Sequence, residues 1–494
     1  MYVRRLKTHC SNYLCLLPLV LTLEACAPMP ALGPVAEAKT PESFESAQSF
    51  KAPEAAWPAD RWWEKYHDPQ LNQLISEGLA AAPDLKAAQA RLRKAEAMSQ
   101  SVGSVLYPQL AANGTVFGQE TSTNYIVPAP YTPQGWYSYG QATLNFNWEI
   151  DFWGKNRAAL AAAVSESQVR RAELAQAQLM LTTSIARSYA DLARLVADRA
   201  TAEKSLEIRT KTWALFDERQ KQGLENVGAV SQAAGKKHLA ENDLVQIDVR
   251  IAEARNRLAA LVGAGPDRGL QISPPKNLIR ANYALPPDLG INLVGRRPDI
   301  VATRWQAEAS QSRIEQRKAA FYPNVNIAAF VGAQSLGINK LVESGSYMSN
   351  AGPAIYLPIF LGGRLRADLN AARADYDENV ANYEKTLIQA LNEVADVAAG
   401  LQQLNRQVRL ADQSVAAQTQ GLTVAANRYK GGLANYLDVL IAEDELLSSW
   451  RVQTDVRTRA FILDVALTKA LGGGYQTDAA ADRREDKKSE EFPR

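Results

Sequence analysis

One stretch of the sequence, from Asn156 to Lys221, contains 66 residues without a glycine or a proline. It is rich in Ala, Leu, Gln, Glu and Arg, the residues that lose least conformational freedom in a helix. At about 1.5 Å per residue the helix would be about 100 Å long, far longer than the average globular helix. Its larger apolar residues recur at helical spacing, namely Leu181, Ile185, Tyr189, Leu192 and Val196. The sequence therefore predicts a rod that spans a long distance. A helix of this length is not typical of a soluble enzyme.

The second half of the sequence repeats the plan of the first half. A proline-free stretch at residues 364–430 predicts a second rod, and Gly432 follows it as Gly223 follows the first. Pro83-Asp84 and Pro298-Asp299 are equivalent helix-start signals in the two halves. We therefore expect a first repeat at residues 61–270, a linker at 271–290 and a second repeat at 291–474, with helices after the strands at about 156–264 and 364–471.

Before each rod, the apolar pattern changes to a period of two. From Trp136 to Trp148 apolar and polar side chains alternate, and such alternation predicts strands at about 109–150 and 324–359. Strands of this length fit the thickness of a bilayer. Four strands cannot close a barrel, however, and open strand edges cannot lie in lipid. The strands therefore either belong to a barrel shared by several chains or form two soluble hairpins packed on the helices.

The N-terminus has the pattern of an export signal. Basic residues precede a short apolar run at residues 13–23, and Leu23-Glu24-Ala25-Cys26 resembles the bacterial lipoprotein cleavage signal. Residues 1–25 are thus predicted to be a lipoprotein signal peptide, and Cys26 to carry lipid, including palmitate. Glu24 departs from the usual pattern, so a plain signal peptide with an incidental Cys26 is the alternative.

The segments that flank the two repeats are polar or rich in proline. Residues 26–60 predict an extended, lipidated tether, and residues 475–494 predict a disordered tail. Cys26 is the only cysteine after the signal, so we expect neither an internal disulfide nor a cysteine-based metal site. The net charge is only +2, which does not favour a nucleic-acid partner.

The sequence contains no recognisable catalytic motif. The three histidines (His9, His67 and His238) belong to no cluster with metal-ligand spacing, and no nucleophile motif is present. Gly263-Ala264-Gly265 follows a predicted helix rather than a strand, so it indicates a helix stop and not a dinucleotide-binding loop. We therefore expect no catalytic activity, no cofactor and no metal.

Four short motifs accompany the repeats, namely Asp151-Phe152-Trp153-Gly154-Lys155, Phe360-Leu361-Gly362-Gly363-Arg364, Arg296-Arg297-Pro298-Asp299 and Leu471-Gly472-Gly473-Gly474-Tyr475. Taken together, the repeats and these motifs resemble those of the outer-membrane efflux proteins, of which TolC is the best-known member. The resemblance covers about residues 57–475. Cys26 and the proline-rich tether resemble the lipoprotein, or NodT-type, branch.

The resemblance implies an α+β, mainly α, TolC-like fold. The long helical hairpins would form a trimeric α-barrel in the periplasm, and four strands per chain would form a shared 12-stranded outer-membrane β-barrel. The implied function is a passive, gated duct of a tripartite efflux system for drugs, antibiotics or other toxic small molecules. The implied partners are a homotrimer, a periplasmic adaptor, an inner-membrane pump and outer-membrane lipid. A protein-secretion duct of the same fold and a structural periplasmic lipoprotein without a pore are the alternatives.

The resemblance also assigns roles to single residues. Asp438 matches an acidic position of the periplasmic aperture, and Leu437 beside it would form an apolar constriction. Three Asp438 carboxylates in a trimer would favour cations. The alternative is that Asp438 is an ordinary solvated charge at a helix start. The remaining implied positions are the helix-hairpin turns Gly223 and Gly432 and the barrel-to-helix junctions Asp151, Gly154, Gly362 and Gly363.

Some aperture residues depart from the family's pattern. Ile441 stands where some members carry a second acid, and Ala434 replaces an arginine that helps to hold a closed tip in some members. In the first repeat, Ala229 stands where an Asp can occur. Asp438 is therefore the one acid that the resemblance assigns to the aperture.

Overall fold

The computed structural model describes residues 29, 33–46, 48–122, 124, 129–275 and 284–477. The predicted signal peptide, Cys26 and the predicted tail beyond residue 477 lie outside these residues. The chain divides into two compact units. The first unit comprises Arg93–Val169 and Thr303–Asn382 with the described residues up to Ala38, and the second comprises Lys39–Leu92, Arg170–Ala302 and the described residues from Tyr383. Each unit draws on both sequence repeats, so the units do not follow the repeat boundary.

The helices match the sequence pattern closely. Both predicted rods are present as α3 and α8, each with 67 residues. None of the helices in the described part of the chain is both long enough and apolar enough to cross a membrane. The α-helices of the described residues are α1 (Pro69–Ala81), α2 (Pro83–Gly103), α3 (Lys155–Lys221), α4 (Val227–Leu261), α5 (Pro266–Leu270), α6 (Leu289–Arg296), α7 (Pro298–Ala319), α8 (Arg364–Lys430) and α9 (Tyr436–Ala470).

The four strands form one antiparallel sheet in the order β1-β2-β3-β4. They are β1 (Gln109–Glu120), β2 (Trp136–Ile150), β3 (Asn324–Leu336) and β4 (Tyr347–Tyr356). The hairpins of the two repeats are joined because β2 pairs with β3, so they are not two separate hairpins. The predicted last strand extended to Ile359, whereas β4 ends at Tyr356. Pro358, which has no N–H to donate to a strand partner, follows closely.

The sheet has one apolar face and one largely polar face. The register places Leu110 opposite Phe146, Leu144 opposite Val331, and Val325 opposite Ile355, and directly opposed residues share a face. This apolar face is open: Leu110, Val116, Val331 and Ile355 are 55–69% exposed. The outer edges of β1 and β4 pair with no strand in the described part of the chain. A single copy therefore leaves both the apolar face and the two edges uncovered.

The second unit contains two large apolar cores. In one, α1 buries Leu71, Leu74 and Ile75 completely against α3 and α4. The start of α1 is capped by Asp68, whose carboxylate accepts the backbone N–H groups of Gln70 at 2.9 Å and Leu71 at 3.1 Å. The other core packs α6 and the start of α7 against α8 and α9.

The predicted tether and linker differ in part from what the structure shows. Within the predicted tether, Phe44, Phe50 and Trp57 pack against the core formed with α8 and α9. Within the predicted linker, Leu285 is buried, and its N–H donates to the carbonyl of Pro53 at 2.9 Å. The physical reason is composition: each segment carries a few large apolar side chains, and burying them outweighs the freedom that the surrounding proline and alanine residues would allow.

Candidate functional site

The turns of the two helical hairpins are built in the same way. After α3, Gly223 has φ +74°, and the N–H of Leu224 donates to the carbonyl of Arg219 at 2.8 Å. After α8, Gly432 has φ +73°, and Leu433 donates to Arg428 at 2.8 Å. Only glycine adopts this backbone conformation without steric cost, and it ends a helix in this way routinely. The structure thus places both predicted turn glycines at helix ends.

The ends of the two hairpins pack together through a small aromatic core. Phe216 of α3 is fully buried, and its ring lies 5.1 Å from that of Tyr429 and 5.9 Å from that of Tyr436. Val439 and Leu440 of α9 complete this core together with residues of α4. The first turn of α9, which carries the predicted aperture residues, is therefore held against the end of the first hairpin.

Tyr429 also makes a polar contact between the two hairpins. Its hydroxyl donates to the Oε2 atom of Glu225 at 2.6 Å, and the guanidinium of Arg219 lies 4.6 Å from its ring centre. Burial and the neighbouring Glu225 carboxylate raise the pKa of Tyr429, so the hydroxyl remains a proton donor at neutral pH. This contact links the end of α8 to the turn after α3.

The structure places Asp438 in the first turn of α9. Its backbone N–H donates to the Asn435 side chain at 3.0 Å, and its carboxylate accepts the Asn435 N–H at 3.3 Å, which forms a capping box. Leu437 is 45% exposed, and Ile441 is 52% exposed. Asp438 also lines an open groove of about 450 Å³ between the end of α8 and the start of α9. Within one chain Asp438 thus completes the capping box whose N-cap is Asn435, and Asp438 remains exposed to solvent.

The first strand-to-helix junction is organised by Asp151. Its carboxylate accepts the N–H of Asn156 at 3.1 Å and that of Arg157 at 2.8 Å, the first free amides of α3. Gly154, with φ +76°, makes the turn between them. The structure thus places Asp151 and Gly154 at the start of the rod.

The second junction makes its turn with two glycines. Gly362 has φ +58° and Gly363 has φ +87°, and α8 begins at the next residue. Its first turn contains no acidic residue. At the first junction, Trp153 stacks on Tyr322 at 4.6 Å and donates its indole N–H to the carbonyl of Pro323 at 2.9 Å, in the segment between α7 and β3. Residues of both junctions, among them Phe152, Trp153 and Leu361, line one pocket where the sheet meets the rods.

One polar cluster was not predicted. Arg209 on α3, with a side chain 5% exposed, pairs with Glu443 on α9, whose side chain is 1% exposed. Arg209 also pairs with Asp444 on α9, and Lys236 on α4 pairs with the same Asp444. Thr212 donates its hydroxyl proton to Glu443. We call these five residues the ion cluster.

The ion cluster could have been found from the sequence by its position on apolar stripes. Arg209 lies seven residues after the buried Ala202 and seven before the buried Phe216. Glu443 lies between the buried pairs Val439-Leu440 and Leu446-Leu447. A charge on a stripe that is otherwise buried is rare unless it is paired, and that is the signal that the sequence reading missed.

The two carboxylates of the ion cluster respond differently to their surroundings. Burial raises the pKa of Glu443 although Thr212 and Arg209 act in the opposite direction. Burial also acts to raise the pKa of Asp444, but its contacts with Lys236 and Arg209 have the larger combined effect and lower this pKa. The difference arises because the Asp444 side chain is 55% exposed, so less of its hydration is lost.

Comparisons with known proteins identify the family. The model of the outer membrane efflux protein family matches residues 74–264 and 292–473. A putative multidrug resistance outer membrane protein, MdtQ of Shigella flexneri, is 31% identical over 470 residues, which are 93% of this chain and 97% of that protein. The multidrug resistance outer membrane protein MdtP of Escherichia coli strain K12 is 30% identical over 455 residues, which are 90% and 92% of the two chains.

Solved structures show the same fold. The outer membrane protein VceC from Vibrio cholerae superposes with a TM-score of 0.79 at 44% identity, over 85% of this chain and 100% of that chain. The outer-membrane channel OprN superposes with a TM-score of 0.79 at 26% identity, over 92% and 100%. The predicted TolC-like fold, the outer-membrane location and the efflux function are confirmed by these relatives. The chain belongs to the outer membrane efflux protein family, a family of channels rather than enzymes.

Proposed function

We propose that three copies of this chain form the outer-membrane duct of a tripartite efflux system. Each copy contributes its four strands to a shared barrel and its long helices to a tunnel in the periplasm. The duct passively exports drugs or other toxic small molecules that an inner-membrane pump delivers through a periplasmic adaptor. The names of the relatives, which include multidrug resistance proteins, support this class of substrate.

The main support for this proposal is the sheet, whose apolar face and two edges are uncovered in a single copy. Its apolar face is exposed, and neither edge strand has an outer partner among the described residues. Unpaired edges are not tolerated in lipid because each unsatisfied backbone group costs several kcal/mol. Pairing β1 of one copy with β4 of the next closes the barrel and satisfies both edges at once.

Transport by whole cells tests this function against its two alternatives. In a strain that lacks its own efflux ducts, expression of this chain with its cognate adaptor and pump should lower the intracellular concentration of a pump substrate. A protein-secretion duct would instead restore release of a secreted protein without changing drug accumulation. A structural lipoprotein without a pore would do neither, and it would give no conductance in a planar bilayer.

We also propose that Asp438 and Leu437 form the narrow periplasmic aperture. The support is that Asp438, the third residue of α9 and part of its capping box, is exposed to solvent and that Leu437 is exposed beside it. A ring of three carboxylates favours cations in a narrow pore. The junctions at Asp151, Gly154, Gly362 and Gly363 would then mark where the shared barrel becomes the helical tunnel.

Asp438→Asn removes the charge of this ring and keeps the size of the side chain. We expect the ratio of potassium to chloride permeability to fall severalfold, because the local negative potential is lost. The measurement is the reversal potential of single channels in a planar bilayer under a salt gradient. Glu445→Gln, an exposed acid on the same helix, is the matched control and should leave selectivity unchanged. Equal selectivity in wild type and Asp438→Asn would exclude Asp438 from the aperture.

Lipidation at Cys26 is a separate proposal, supported by the sequence that precedes this residue. Cys26→Ala should abolish incorporation of radiolabelled palmitate into the protein, because no other cysteine follows the signal. Channel conductance of the purified variant should be unchanged, since Cys26 precedes the repeats. Palmitate incorporation that persists in the variant would show that lipid is attached elsewhere.

A further inference from the structure

The ion cluster joins three helices that come from both repeats. Arg209 lies on α3, Lys236 on α4, and Glu443 and Asp444 on α9. The guanidinium of Arg209 contacts both carboxylates, and Asp444 bridges Arg209 to Lys236. The two cations therefore balance the two anions, and α9 is tied to both helices of the first hairpin.

Packing alone does not require such a cluster. Removing two charges from water costs several kcal/mol per ion, and well-packed apolar residues often give equal or better stability. A buried ion pair does impose one arrangement on its helices, because a sliding helix would leave a buried charge without its partner. The cluster therefore opposes displacement of α9, because displacement would leave a buried charge without its partner.

The internal repeat shows that the cluster is specific to one seam. At the offset of 209 that relates the hairpin turns, the counterparts of Arg209, Lys236, Glu443 and Asp444 are Gln418, Glu445, Ala234 and Gly235. Only Glu445 carries a charge, so no ion pair can form among these counterparts. If the ions were a general requirement for packing these long helices, the second set of positions would need them as well.

The cluster lies close to the proposed aperture along one continuous helix. Glu443 follows Asp438 by five residues within α9, an axial distance of about 7.5 Å. A helix segment this short transmits position rigidly. Whatever holds Glu443 against α3 consequently holds Asp438 and Leu437 as well.

We propose that the ion cluster is a positioning element of the aperture, which keeps the start of α9 against the first hairpin and so keeps the aperture narrow. This inference rests on the proposed function of the aperture. Arg209 and Glu443 touch no transported molecule and act through Asp438 and Leu437. Loss of the pair between Arg209 and Glu443 frees α9 to move, and the duct opens more often.

Glu443→Gln tests this proposal, because it removes the charge while the amide still accepts the hydrogen bond of Thr212. We expect the open-to-closed ratio of single channels to rise at least about tenfold, since breaking a buried ion pair costs more than a tenfold ratio requires. The matched control is Asp243→Asn, which breaks an exposed pair between α4 and α9, Arg451 with Asp243 at 3.1 Å. It should open no more often than wild type.

A second variant tests the proposal even if Glu443→Gln does not fold. Asp444→Asn changes a half-exposed residue and should raise the open-to-closed ratio less than Glu443→Gln does. Thermal melting is measured on the same samples. A purely structural role predicts lower melting temperatures but wild-type gating in the trimers that survive, and that result would overturn the proposal. If wild type itself forms no channel, the proposed function fails instead, so the two failures are distinguishable.

Discussion

Val116→Arg is expected to prevent assembly of the protein in the outer membrane. Val116 lies near the middle of β1 on the apolar face and is 66% exposed in a single copy. An arginine facing lipid near the centre of a barrel strand costs about 2–4 kcal/mol, and a trimer incurs this cost three times. The measurement is the amount of heat-resistant oligomer in the outer-membrane fraction, which should fall below detection.

The neighbouring residue supplies the control for this prediction. Thr115 lies on the same strand, is also exposed, and points to the opposite, largely polar face. Thr115→Arg should therefore assemble normally, although it can change the conductance. If both variants assembled equally well, the apolar face would not be in contact with lipid.

Gly472→Ala is expected to destabilise the fold by about 3–5 kcal/mol, the combined cost of backbone strain and overpacking. Gly472 follows α9 with φ +87°, and a Cβ atom there would overlap the backbone carbonyl of Arg296. A backbone atom cannot move aside as a flexible side chain can. Thermal melting in detergent, followed by circular dichroism, should show a large decrease or no recoverable folded protein.

Gly432→Ala separates the cost of backbone strain from the cost of overpacking. Gly432 has φ +73°, but no atom lies within 4 Å of the position of its missing Cβ. Only the backbone strain remains, so we expect a loss of about 1–2 kcal/mol. Similar losses in the two variants would show that close approach to Arg296 contributes nothing.

The helices could be predicted from the sequence because their signals are local. The sequence predicts the second rod at residues 364–430, and α8 occupies the same residues, because Gly363 before it and Gly432 after it are clear boundaries. The internal repeat adds long-range information, because the second hairpin lies at a fixed offset from the first.

Two features could not be predicted because they depend on contacts between distant segments. Alternation predicted that β2 and β3 are strands, but not that the hairpins of the two repeats pair with each other. Likewise, the pairing of Arg209 with Glu443 joins residues 234 positions apart. The ring of Asp438 carboxylates depends on still more distant contacts, since it requires other copies of the chain.

The native mass of the purified protein in mild detergent tests the shared barrel most directly. The uncovered edges of β1 and β4 predict that one copy cannot be stable in a membrane, and we expect a complex of three chains. A stable monomer, with the apolar face and both sheet edges unshared, would contradict the shared barrel and, with it, the duct.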